Sequence, residues 1–98
     1  MILLFGFRTM KNEESRHLIT LTAVESNPDL TQRKLAKRLG LGLGTTNQLV
    51  QSLVKTKWVK SSHENGRTRY HLTSAGLAEK LRLLKLRRKQ ALDYYLEI

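Results

Sequence analysis

The 98-residue chain has no cysteine, which excludes disulfides and thiolate chemistry and fits a cytosolic protein. Its three histidines, His17, His63 and His71, have no ligand spacing and no thiol partners, so no metal site is expected. No Ser-His-Asp set or paired-carboxylate cleft is visible. Gly40, Gly42 and Gly44 imitate a glycine-rich loop but lack the Lys-Ser/Thr and the preceding strand of a phosphate-binding loop. These absences argue against an enzyme and against a cofactor. No apolar run approaches the roughly 18 residues of a membrane span, so no membrane partner is expected. The opening MILLFGF is too short for a signal peptide, has no basic residue before it and is followed by Arg8.

Acidic residues are also scarce. Eight Asp and Glu stand against eighteen Lys and Arg, a formal charge of +10. The excess is concentrated. Between Leu30 and Leu72 lie Arg33, Lys34, Lys37, Arg38, Lys55, Lys57, Lys60, Arg67 and Arg69, with Glu64 as the sole acid. Such a block attracts a polyanion and gains free energy by releasing its counterions. Read alone, it fits a solvated surface equally well.

The length allows one domain with a thin core, which a subunit partner would help to cover. Residues 1–11 read as an N-terminal extension. MILLFGFRTM is apolar and uncapped, and fits a short strand, an arm at a dimer interface or an unstructured lead; Met10 is an alternative start. A first helix begins near Asn12, with Glu13 and Glu14 in the turn where the helix dipole favours acids. Leu18, Leu21, Thr22 and Val24 give it a helical pattern, and Asn27-Pro28-Asp29 ends it. Thr31 caps a second helix with Leu35, Ala36 and Leu39 on its apolar face, and Gly40 closes it in the left-handed conformation. A third helix runs from about Leu43 to Thr56, burying Leu49, Val50, Leu53 and Val54. Trp58 to Glu64 reads as a strand, Asn65-Gly66 as a hairpin turn and Arg67 to Leu72 as the return strand. Tyr70 and Leu72 share one strand face; Arg67, Arg69 and His71 share the other. Thr73 or Ser74 caps a last helix carrying Leu77, Leu81, Leu84, Ala91, Leu92 and Tyr95 at helical spacing.

The predicted fold is mainly α with a small β-hairpin: a winged helix-turn-helix over residues 12–73 and a C-terminal dimerisation helix over 74–98. Two short helices joined by a glycine turn form the helix-turn-helix unit, whose second helix enters the major groove of DNA. That gives a reason for the polar run on helix three. Asn and Gln pair bidentately with adenine, and Thr reaches a thymine methyl group. Thr45, Asn47, Gln48 and Gln51 are therefore the candidate base readers. Lys34, Arg38, Lys55, Arg67 and Arg69 are the candidate phosphate contacts, the last two on a wing that reaches the backbone or the minor groove. Leu77, Leu81, Leu84 and Tyr95 are the candidate dimer contacts, with Leu77 packing at home and the far end of the row on a twin helix. Trp58 is expected in the core between wing and helices.

The stretches LTQRKLAKRLGLGLGTTNQLVQSLVKTKWVK and HENGRTRYHLTSAGLAEKLRL, within about residues 13–92, resemble MarR-type winged-helix regulators, closest to the short ones associated with exopolysaccharide genes. The resemblance implies a cytoplasmic, homodimeric, sequence-selective binder of double-stranded DNA that regulates transcription. Three positions depart from the family pattern. Lys57 stands where glycine usually precedes the aromatic of the wing strand, and a positive φ there would cost about 1 kcal/mol. Gly42 replaces the usual Ser or Thr cap of helix three. Thr46 replaces an apolar residue, and so is expected to be half-buried rather than a base reader. The longer MarR proteins frame a ligand pocket with extra helices, and at this length no such pocket is expected. The competing readings are a winged helix that binds protein and one that binds RNA.

Overall fold

The computed structural model describes residues 12–97, with side chains described from residue 13 to 92. The readings of residues 1–11 and of the Tyr95 side chain lie outside these bounds. The elements run α1 (Asn12–Ser26), α2 (Gln32–Leu39), α3 (Leu43–Lys55), β1 (Val59–Glu64), β2 (Arg67–Leu72) and α4 (Ser74–Glu97). This is the mainly helical winged helix-turn-helix with a C-terminal helix that the sequence predicts.

Each helix end has a local cause. Leu30 donates to the Asn27 carbonyl, closing a turn through Pro28 after α1. Thr31 caps α2: its side-chain oxygen accepts from the Lys34 amide at 3.1 Å. Gly40 ends α2 at φ 69°, with its own amide donating to the Lys37 carbonyl and that of Leu41 to the Ala36 carbonyl. This is the Schellman arrangement, and glycine enters it without a Cβ clash. The same motif ends α3 without glycine. Lys57 sits at φ 67°, while its amide donates to Val54 and that of Trp58 to Leu53, both at 3.0 Å. The departure noted in the sequence is therefore a real left-handed lysine. β1 begins one residue later than expected, at Val59, because Trp58 completes this cap.

The hairpin pairs Val59 with Leu72 and Glu64 with Arg67, leaving the two-residue turn Asn65-Gly66. Both turn residues have positive φ, 51° and 75°, which matches the strand twist. Gly42 stands at the N-cap of α3 and, having no side chain, makes no capping hydrogen bond.

The core collects Leu18, Leu21, Ala23 and Val24 from α1, Leu30, Leu35 from α2, Val50 and Leu53 from α3, Val59 from β1 and Leu83 from α4. Leu49 and Val54 are only half-buried, at the rim. Thr22 is exposed, and Thr20 occupies the core face in its place, bonding its hydroxyl to the Arg16 carbonyl at 2.8 Å. Trp58 packs on the core, half-buried, with its ring edge-on to His17.

The last helix corrects one expectation. Leu83 is its fully buried residue, whereas Leu77, expected at home, is 40% exposed. The reason is the way α4 starts. Thr73 is the N-cap, its side-chain oxygen accepting from the Gly76 amide at 2.9 Å. Its own amide donates to the Trp58 carbonyl at 3.1 Å, and its hydroxyl donates to the Lys57 carbonyl at 2.6 Å with the Trp58 oxygen 3.1 Å away. Gly76 lies directly over that carbonyl, and a Cβ added there would fall 2.0 Å from the oxygen. With Gly76 inward, Lys80 and Leu83 follow at helical spacing on the α1 side, and Lys80 pairs with Glu25 of α1. Arg82 is drawn to Glu79 instead, and its bidentate hydrogen bond holds the Glu79 carboxyl below the usual carboxylate range.

Two substitutions test these backbone constraints. Lys57→Gly should stabilise the domain by about 1 kcal/mol, raising the thermal midpoint by roughly 4–8 °C; an unchanged or lower midpoint would contradict a strained Lys57. Gly76→Ala should cost upwards of about 2 kcal/mol in chemical denaturation, since backbone rather than a flexible side chain must give way. A cost below about 0.5 kcal/mol would contradict the close approach.

Candidate nucleic-acid interface

At about 100° per residue, Gln48, Gln51 and Lys55 follow one another along the outward face of α3. Val50 and Leu53 face the core on the opposite side. All four candidate base readers, Thr45, Asn47, Gln48 and Gln51, are exposed. Asn47 lies on the flank of this ridge nearer α2 and the hairpin, and Thr45 on the other. Thr46 is wholly buried, more than the half-burial expected, and its hydroxyl is spent on the Gly42 carbonyl at 2.9 Å. It belongs to the packing between helices. Leu43, in the first turn of α3, is 49% exposed beyond the edge of the core. Its exposure depends on where the core ends and is invisible to helical periodicity.

The candidate cations lie beside this ridge and at its C-terminal end. Lys34 and Arg38 project from α2, Lys55 from the end of α3 and Arg67 from the hairpin; all are exposed. Arg38 is steadied by the Asn27 side-chain oxygen, which, with its amide turned to accept, lies 3.2 and 3.0 Å from Arg38 Nη1 and Nη2. Arg69 is half-buried and leans toward two carboxylates, Asp29 at 3.8 Å and Glu64 at 3.6 Å. The Asp29 contact ties the hairpin to the α1–α2 connection, and the Glu64 contact links the two hairpin strands. Pairs as exposed as these are worth at most about 1 kcal/mol, so they leave Arg69 able to exchange a carboxylate for a phosphate. An open cleft of about 660 Å³ runs between that connection and the hairpin, edged by Pro28, Thr31, Lys34, Arg67 and Arg69.

Gln32, passed over in the sequence, and Tyr70, read there only as a strand-face residue, also stand at this surface. Gln32 and Tyr70 form a bridge to Asn47: Gln32 Nε2 donates to Asn47 Oδ1 at 3.0 Å and to the Tyr70 hydroxyl at 3.1 Å. The partners lie 15 and 38 residues away, so no local pattern announces the link. Along α4, Leu77, Leu81, Leu84 and Leu92 are exposed at 40, 56, 37 and 57%. Among the described residues no group of acids and histidines could hold a metal ion. No described helix is long and apolar enough to cross a membrane.

The MarR family model matches residues 14–69, more than half of the chain. The chain belongs to the MarR family. MarR membership makes it a transcription regulator in type and not an enzyme. Several solved structures share the fold. Rv2887 of Mycobacterium tuberculosis, a MarR family protein solved with p-aminosalicylic acid, is 15% identical with a TM-score of 0.74, over 99% of this chain and 82% of that one. YusO of Bacillus subtilis is 15% identical with a TM-score of 0.75, over 99% and 72%. A variant of Staphylococcus aureus MepR bound to an oligodeoxyribonucleotide is 21% identical with a TM-score of 0.70, over 91% and 66%. No curated protein matches the chain in sequence.

Proposed function

We propose that this MarR-family chain is a cytoplasmic homodimer that binds double-stranded DNA in a sequence-selective way. α3 enters the major groove, where Thr45, Asn47, Gln48 and Gln51 meet base edges. Lys34, Arg38 and Lys55 grip phosphates on either side, and the hairpin brings Arg67 and Arg69 to the backbone or the minor groove. Residues 12–73 form the reading head. Residues 74–98 form the dimer helix, through Leu77, Leu81, Leu84 and Tyr95.

The observation that carries this reading is the contrast within one surface. An exposed ridge of amide side chains has exposed cations beside it on α2 and the hairpin and at its own C-terminal end. Amides carry directional donors and acceptors that can tell bases apart, whereas cations supply affinity without sequence preference. The MepR variant that shares the fold was solved bound to an oligodeoxyribonucleotide, which supports DNA as the partner. The exposed leucines of α4 support the dimer, because an apolar row on a small domain loses hydration cost when a twin covers it.

Two experiments separate the roles. Gln48→Ala should narrow the gap between a preferred and a random duplex by about 1–3 kcal/mol, whereas Lys34→Ala should weaken both alike and lower the salt slope by about one. If the two variants behave the same, the division between reading and gripping is wrong. A chain with no affinity for duplex at low salt would return the winged helix to a protein- or RNA-binding role. Leu81→Glu should turn a dimer into a monomer at micromolar concentration in sedimentation; an unchanged mass would remove α4 from the interface.

A further inference from the structure

We propose that Gln32 is a positioning residue that pins the Asn47 amide in one orientation and thereby sets an adenine-over-guanine preference. The inference rests on the reading of Asn47 as a base contact.

Gln32 is the first helical residue of α2, directly after the Thr31 cap. Its side-chain nitrogen carries two hydrogens. One goes to Asn47 Oδ1 at 3.0 Å and the other to the Tyr70 hydroxyl at 3.1 Å. Tyr70 is half-buried, packs against the core and stands on β2. Its hydroxyl is therefore a fixed point at the root of the wing. Asn47, by contrast, is short and exposed, and without this bond its amide would turn freely.

The chemistry follows from which end of the amide is held. Adenine offers an amino donor and the N7 acceptor in the major groove; guanine offers two acceptors, O6 and N7. The Asn47 oxygen has two lone pairs, so the bond from Gln32 leaves one for the adenine amino group while Nδ2 donates to N7. Facing guanine, the same held oxygen meets O6, and two acceptors repel. A free asparagine escapes by swinging its oxygen away from the base and donating from Nδ2 alone to O6 or N7. The pinned one cannot turn without breaking the Gln32 bond. Gln32 thus penalises the wrong base without touching DNA. Tyr70 also links this penalty to the position of the wing.

The test compares the wild-type chain with Asn47→Ala, Gln32→Met, Tyr70→Phe and the double variant Gln32→Met/Asn47→Ala. The probe is a preferred duplex carrying A·T or G·C at each position in turn. Asn47→Ala should lose its preference at one base pair. At that pair, Gln32→Met should lower the adenine-over-guanine affinity ratio by about three- to tenfold, and Tyr70→Phe by less. The double variant should do no worse there than Asn47→Ala alone. Because the ratio is taken on one preparation, the fraction of folded protein cancels from it. If Gln32→Met keeps the wild-type ratio where Asn47→Ala has lost it, or if the two losses simply add, the positioning role is overturned. If Asn47→Ala alters no base pair, base reading by Asn47 itself falls, and this inference falls with it.

Discussion

The carbonyl oxygen of Trp58 is where the parts of this domain meet. It lies just past α3, at the entry to the wing, and it receives the amide of Thr73 from the end of β2, while the Thr73 hydroxyl bonds the neighbouring Lys57 carbonyl at 2.6 Å. Gly76 then lies over the Trp58 oxygen, so α4 leaves in a direction set by that contact. Closing the wing at its root fixes the hairpin relative to α3. The start of α4 in turn decides that Leu83 faces the core and that Leu77, Leu81 and Leu84 face outward. The reading surface and the apolar row of α4 therefore depend on one polar junction. Lys57, in a left-handed conformation immediately before it, shows that the chain tolerates local strain there.

Much of this was legible in the sequence because its causes are local. Thr31, Gly40 and Asn65-Gly66 mark ends and turns through their own side chains or the lack of one. The structure places them at a helix cap, a left-handed closure and a two-residue hairpin turn. Lys57 was legible only by contrast with the family pattern, which expects glycine there. What stayed hidden depends on tertiary packing. Helical spacing admits both the Leu77–Leu81–Leu84 row and the Gly76–Lys80–Leu83 row, and only the crossing of Gly76 over Trp58 chooses between them. Thr20 in the core and Thr22 outside it follow from the seating of α1, not from hydropathy. The Gln32–Asn47–Tyr70 bridge joins three elements, and no one of them signals it.

The candidate interface divides its work along lines that electrostatics makes necessary. Cations on α2, at the end of α3 and on the hairpin act at range and in any sequence. The amides of α3 act only at contact. Asp29 and Glu64 near Arg69 temper the positive field while anchoring the wing. On the proposed reading, discrimination between bases depends on how firmly the amides are held, and affinity depends on how many phosphates the cations reach.

The central claim is that α3 reads sequence from a symmetric pair of domains. Selection of bound duplexes from a random pool by the wild-type chain tests it most directly. The account predicts an enriched palindrome whose half-sites are centred about one helical turn, or a multiple of it, apart. A pool that is retained at low salt yet emerges with no enriched sequence would contradict it, leaving a basic surface that grips DNA without reading it.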